Sequence, residues 1–258
     1  MYKYLINISF DGTNYNGWQV QRNSSQTVQQ KINDGLSKLL REKIETLGCC
    51  RTDAGVHAKE LFAHFESAKG NLAEKDGANQ QIWLHKFNSV LPSDISINEI
   101  YSINEKVNAR FDATARTYQY FIHGKRNPFL INRSYYYYSE LDIARMNKAA
   151  KLLTRYNDFT AFSKMNTQVK TNLCKIYQAG WKKDTSGNLV FTIRADRFLR
   201  GMVRMIVGTM VLLGKHRITL SEFKEIIESK NCQNAGALVP ACGLFLTKVE
   251  YPKSIFGK

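Results

Sequence analysis

The chain has 258 residues, 43% apolar and 12% aromatic, enough to bury a core and too many for a disordered tail. Its formal charge of +15 calls for a polyanionic partner. With no polybasic amphipathic helix in view, nucleic acid is favoured over an anionic membrane face. Five cysteines (Cys49, Cys50, Cys174, Cys232, Cys242) are odd in number and form no CxxC pair, which argues against a zinc site or disulfide framework and for a reducing cytoplasm. MYKYLINISF begins like a strand rather than a signal peptide. The longest apolar stretch, near Met202 to Leu213, is too short to span a bilayer and carries Arg204.

In chain order, KYLINISF alternates like a half-buried strand. A polar loop follows from Asp11 to Gln26. Val28, Ile32, Leu36 and Leu40 then recur as on an amphipathic helix. Ile44 to Cys50 and Leu61 to Phe65 read as strands. Ile82, Trp83, Lys86, Phe87 and Val90 suit a helix ending before Pro92, and Ile95 to Ile103 a fourth strand. This is the β-α-β-β-α-β order of ferredoxin-like domains.

The second half repeats the theme. Ala113 to His123 alternates as a strand. Ser139 and Asp142 suggest a capping box for a helix through Leu153. Asp184-Thr185-Ser186-Gly187-Asn188 joins two strands, Cys174 to Lys182 and Leu189 to Ala195, as a hairpin. A largely apolar helix is predicted over Phe198 to Leu213 with Gly214 as its C-cap. Thr219 and Glu222 box in another, and Leu244 to Tyr251 closes the chain as a strand. The expected fold is therefore α+β: two ferredoxin-like domains, 1–105 and 106–258. They would share a mixed, mainly antiparallel sheet with helices on one face and a basic cleft between them.

Asp53, in GCCRTDAGVHA, is by composition an ordinary turn residue. Its place at a strand end could also hold it toward a cleft. Arg204 is the other outlier. An apolar helix should bury it, and a buried guanidinium needs a carboxylate, an anionic ligand or the carbonyls of another element. Arg200, four residues earlier, would share its face. If Arg204 paired with Asp53 it would favour the ionised acid, which suits a nucleophile rather than a general acid. Tyr118 reads either as a core aromatic or as a ring stacked on a nucleobase, with Arg110 and Arg116 for phosphates. SYYYYS is as well explained by an edge strand as by RNA contact. Metal binding is not favoured for His57 and His64.

The chain resembles the TruA-type tRNA pseudouridine synthases along almost its whole length. The resemblance is carried in order by FDGTNYNGWQVQ (Phe10 to Gln21), TVQ (Thr27 to Gln29), RTDAGVHA (Arg51 to Ala58), AHF (Ala63 to Phe65), LPSDI (Leu91 to Ile95), NARFDATARTYQY (Asn108 to Tyr120), NDFTAF (Asn157 to Phe162), MVRMIVG (Met202 to Gly208) and ACGLFLTKVEYP (Ala241 to Pro252). It implies an isomerase that converts uridines 38, 39 and 40 of the tRNA anticodon arm to pseudouridine, as a homodimer without metal or organic cofactor. By motif, Asp53 falls on the nucleophile, Arg204 on its arginine partner, and Tyr118 on the tyrosine that packs on the uracil. Arg51 falls on an arginine that helps hold the flipped nucleotide. Cys49, Cys50, Val107 and a longer loop from Gly70 to Asn79 depart from the family pattern. Two other readings stand beside this one. A silent tRNA-binding protein or RNA chaperone of the same fold would bind without product. An aspartate-nucleophile hydrolase or phosphotransferase would need metal ligands near Asp53.

Overall fold

A computed structural model describes residues 1–73, 78–164 and 171–256; part of the Gly70 to Asn79 loop therefore lies outside the described residues. The chain divides into two compact units, Met1–Thr114 with Leu246–Lys258, and Ala115–Phe245. The closing strand thus belongs mostly to the first unit, whereas the sequence places it in a second domain beginning at residue 106.

In the first unit β1 (Tyr2–Phe10), α1 (Val28–Leu40), β2 (Leu47–Gly48), β3 (His57–Ser67), α2 (Ala78–Val90) and β4 (Ile95–Ile103) follow in the expected order. The strands lie as β4-β1-β3-β9, where β9 is Leu244–Glu250, and β2 pairs with β3. Leu5 on β1 stands opposite both His64 of β3 and Tyr101 of β4. Alternation suggests a half-buried β1, yet Tyr4, Leu5, Ile6 and Ile8 are all fully buried. The unit's last segment supplies one reason: Phe256 packs against Phe62, Tyr101 and Tyr251 and covers part of a second face. Strand β2 is far shorter than Ile44 to Cys50. Ser37 Oγ and Asn33 Oδ1 on α1 accept from Ile44 N and Thr46 N, so these donors are not left for a ladder. On α1, Val28, Ile32 and Leu36 are buried and Thr27 caps the helix, as its period implies. On α2, Trp83 and Phe87 are buried, while Ile82 is exposed.

The second unit contains β5 (Ala115–His123), β6 (Tyr135–Tyr136), α3 (Ile143–Leu153), β7 (Ile176–Lys183), β8 (Leu189–Ala195), α4 (Met202–Gly214) and α5 (Leu220–Glu228). Its strands lie as β5-β8-β7 with β6 parallel to β5. The pairings β1–β3, β1–β4, β2–β3, β5–β8 and β7–β8 are antiparallel, so the protein is α+β with mixed, mainly antiparallel pairing. Asp184 Oδ1 accepts from Ser186 N and Asn188 N, which closes the β7–β8 hairpin. SYYYYS is explained in part by β6, where Tyr135 and Tyr136 pair with Ile122 and His123.

Three helix ends differ from expectation. Asp142 caps α3 itself, accepting from Arg145 N, so Ser139 stands outside the cap. Helix α4 starts at Met202 because Gly201 takes a left-handed conformation as its N-cap. Arg200 therefore precedes the helix, and the four-residue spacing to Arg204 places no shared face there. Gly214 is the last residue of α4 and Lys215 is its C-cap. A side chain at 214 would meet Met146 Sδ of α3 at 2.7 Å, so close packing explains that glycine better than a turn does. The Thr219–Glu222 capping box of α5 is present as predicted.

Candidate active site

Asp53 stands half-buried just before β3, on a turn closed by Val56 N donating to Asp53 O at 3.2 Å. The loop after β1 forms its seat. Trp18 N donates to Thr52 O at 3.2 Å and Gly55 N donates to Tyr15 O at 3.3 Å. Gly17, at φ +88°, lies so close that a Cβ there would sit 2.4 Å from Thr52 O, a contact only glycine permits. At the far end of the turn, Gly12 N donates to the buried His57 Nδ1 at 3.1 Å. His64 Nδ1 likewise accepts from Ala109 N at 3.1 Å. Both imidazoles thus have backbone ties. Among the described residues no group of three or more His, Cys, Asp or Glu could hold a metal.

Arg204 occupies the first turn of α4, whose Met202, Val203, Met205, Ile206, Val207 and Met210 are all buried; Arg204 itself is only half-buried, not enclosed as the apolar pattern suggests. Its Nε donates to Val239 O at 2.7 Å, the backbone-carbonyl partner that sequence left open as one alternative. The segment carrying Val239 is pressed onto the helix. A Cβ on Gly208 would lie 2.0 Å from Ala237 O, and Thr209 Oγ1 accepts from Gly236 N at 2.8 Å. Tyr120 Oη donates to Pro240 O in the same segment. Burial is the main cause that pushes this phenol up, partly opposed by Arg204.

Tyr118 lies on β5, 6% exposed, with Phe198 edge-on at 5.0 Å between ring centroids. Arg116 is buried and its Nη1 donates to Asp196 O at 2.7 Å. That bond ties β5 to the residues leading toward Phe198. Arg51 and Arg110 are exposed, the latter with its guanidinium 5.7 Å from the Phe111 ring centroid. Cys49 is buried, its Sγ 3.7 Å from Cys50 Sγ, and none of the five cysteines forms a disulfide. Tyr15, Asp94 and Val239 are not singled out in sequence. The first two fall inside FDGTNYNGWQVQ and LPSDI, but only the fold shows what they touch.

A family model described as tRNA pseudouridine synthase matches residues 149–252. The α+β fold and this match to less than half of the chain point to a class, RNA-modifying isomerases that make pseudouridine, which relatives matched over the whole chain establish. Relatives then narrow it. The chain is 46% identical to tRNA pseudouridine synthase A of Bacteroides thetaiotaomicron, covering 100% of this chain and 94% of the relative. It is 44% identical to tRNA pseudouridine synthase A of Bacteroides fragilis, covering 98% of each. It is 37% identical to the protein of that name from Clostridium acetobutylicum, covering 95% and 98%. The chain belongs to the tRNA pseudouridine synthase A family. Among the described residues no helix is long and apolar enough to cross a membrane.

Proposed function

We propose that this enzyme isomerises uridine to pseudouridine at positions 38, 39 and 40 of the tRNA anticodon arm, with Asp53 as nucleophile. The observation that carries the proposal is the Asp53 turn itself: a half-buried carboxylate on a backbone-tied, glycine-containing loop, in a chain of this family. The target base is stacked, so it must be flipped out at a cost of a few kcal/mol. A charge of +15 supplies phosphate contacts that offset that cost.

The reaction breaks the bond between ribose C1′ and N1, turns the ring and joins C1′ to C5. N1 ends protonated and C5 loses its proton, so composition, charge and oxidation state balance without a cofactor. Asp53 acts at C6 or at C1′. Arg204 serves as the cation for Asp53, supported by its place on a buried helix with Nε already committed to Val239 O. Tyr118 supports the uracil ring. Arg51 and Arg110, both exposed, serve the nucleotide and its phosphates, whereas Arg116, expected in the same role, is buried and braces the Asp196 carbonyl; the enzyme works as a homodimer in the cytoplasm.

The test is to incubate the protein, with and without chelator, with unmodified tRNA bearing uridines at 38 to 40 and to map pseudouridine chemically. Product at those positions in both arms is expected. Tight binding without product would favour the silent tRNA-binding protein, and loss of product with chelator would favour a metal-dependent enzyme.

A further inference from the structure

Three stretches distant in sequence meet beneath the Asp53 turn. Tyr15 is 5% exposed and three of its atoms are committed. Its N–H donates to Gly12 O at 3.0 Å, its carbonyl accepts from Gly55 N at 3.3 Å, and its hydroxyl donates to Asp94 Oδ1 at 2.5 Å. Asp94 is fixed in turn: its carbonyl accepts from Asp11 N at 2.9 Å, and Ile95 N donates to Pro92 O to close that turn. One residue therefore links the start of β4 through its hydroxyl, and the glycine two residues beyond Asp53 through its carbonyl, to the loop after β1.

We propose that Tyr15 is a positioning residue for Asp53: the hydroxyl bond to Asp94 holds the Tyr15 backbone, whose carbonyl holds the turn at Gly55. The inference rests on the proposed role of Asp53. The geometry explains why this needs a tyrosine. Phenylalanine would fill the same buried space but leave the Asp94 carboxylate without that donor, and the loop would be free to shift. Burial, followed by the Asp94 carboxylate, pushes the phenol up from its ordinary value, so it remains a donor wherever the enzyme works. A small displacement matters at a reacting carboxylate, since a misplacement of about 1 Å can cost roughly a hundredfold in rate.

The experiment measures single-turnover pseudouridine formation and tRNA affinity for five variants, with melting curves and tRNA-binding stoichiometry to correct for unfolded protein. Tyr15→Phe is expected to lose about tenfold or more in rate while the Kd for tRNA stays within about twofold. Asp94→Ala should match it, and the double variant should be no slower than either single one, because both remove the same bond. Asp94→Asn keeps an acceptor and should recover most of the rate. If Tyr15→Phe does not fold, the contrast between Asp94→Ala and Asp94→Asn carries the same test. A wild-type rate per folded molecule in Tyr15→Phe, with only the melting temperature lowered, would overturn the proposal. So would losses that multiply in the double variant. Asp53→Ala separates the two levels: if it is inactive while Tyr15→Phe is normal, only the positioning role falls. If it still makes pseudouridine, the Asp53 reading and the proposal fall together.

Discussion

Around Asp53, position is set by backbone hydrogen bonds from Trp18, Gly55 and Val56 across a turn of ordinary loop residues. Around Arg204 it is set by packing, on a helix whose flanking Met202, Val203, Met205 and Ile206 are buried and whose Nε is fixed to a carbonyl. Both residues are half-buried, but a loop held by a few directional bonds fails by shifting, whereas a residue on a buried helix fails when that helix loses its packing. Damage near Asp53 should therefore appear first in rate. Damage in α4 should appear in stability unless it removes the guanidinium itself.

Arg204→Met gives the sharpest break in that pattern, since it keeps the apolar bulk of the helix and removes only charge and donors. Turnover is expected to fall by about 10²–10³-fold with tRNA affinity little changed. Equal losses in both would remove Arg204 from the chemistry. Gly208→Ala tests the packing side. Its Cβ would sit 2.0 Å from Ala237 O, so a loss of about 1–3 kcal/mol is expected, seen as a lower Tm. An unchanged Tm would show that the 236–240 segment is not seated as described. Thr219→Ala removes half of the α5 capping box and should cost about 1 kcal/mol in denaturant titration, with turnover unchanged.

The smallest expected effect is on pH. Burial, with Lys3 nearby, holds His64 below its ordinary 6.5, and its Nδ1 accepts from Ala109 N. The unfolded chain takes up this proton first. Stability should therefore be flat above pH 6.5 and fall as the pH drops below it. Burial lowers His123 as well, so His64→Gln should reduce that slope without abolishing it. An unaltered slope would exclude His64 as a contributor.

Much of this was legible in sequence. The element order of the first hundred residues, the apolar helix around Arg204 and the α5 capping box follow from periodicity and cap chemistry. The lengths of β2 and α4 were not legible. Ser37 and Asn33 take the backbone donors before β2, and Gly201 adopts a conformation that no pattern of apolar residues reveals. At the site, RTDAGVHA marked Asp53, but the ties from Tyr15, Gly17 and Asp94 cross long stretches of chain. Composition carries no trace of such pairings, because each is made by backbone atoms or by one hydroxyl. Val239, which holds Arg204, was illegible for the same reason: its carbonyl does the holding.

The most direct test of the account is single-turnover pseudouridine formation by Asp53→Asn, which keeps the size of the side chain and removes its charge. The account predicts that product disappears, a loss of at least about 10³-fold, while tRNA binding stays within about twofold. Product at close to the wild-type rate would contradict it.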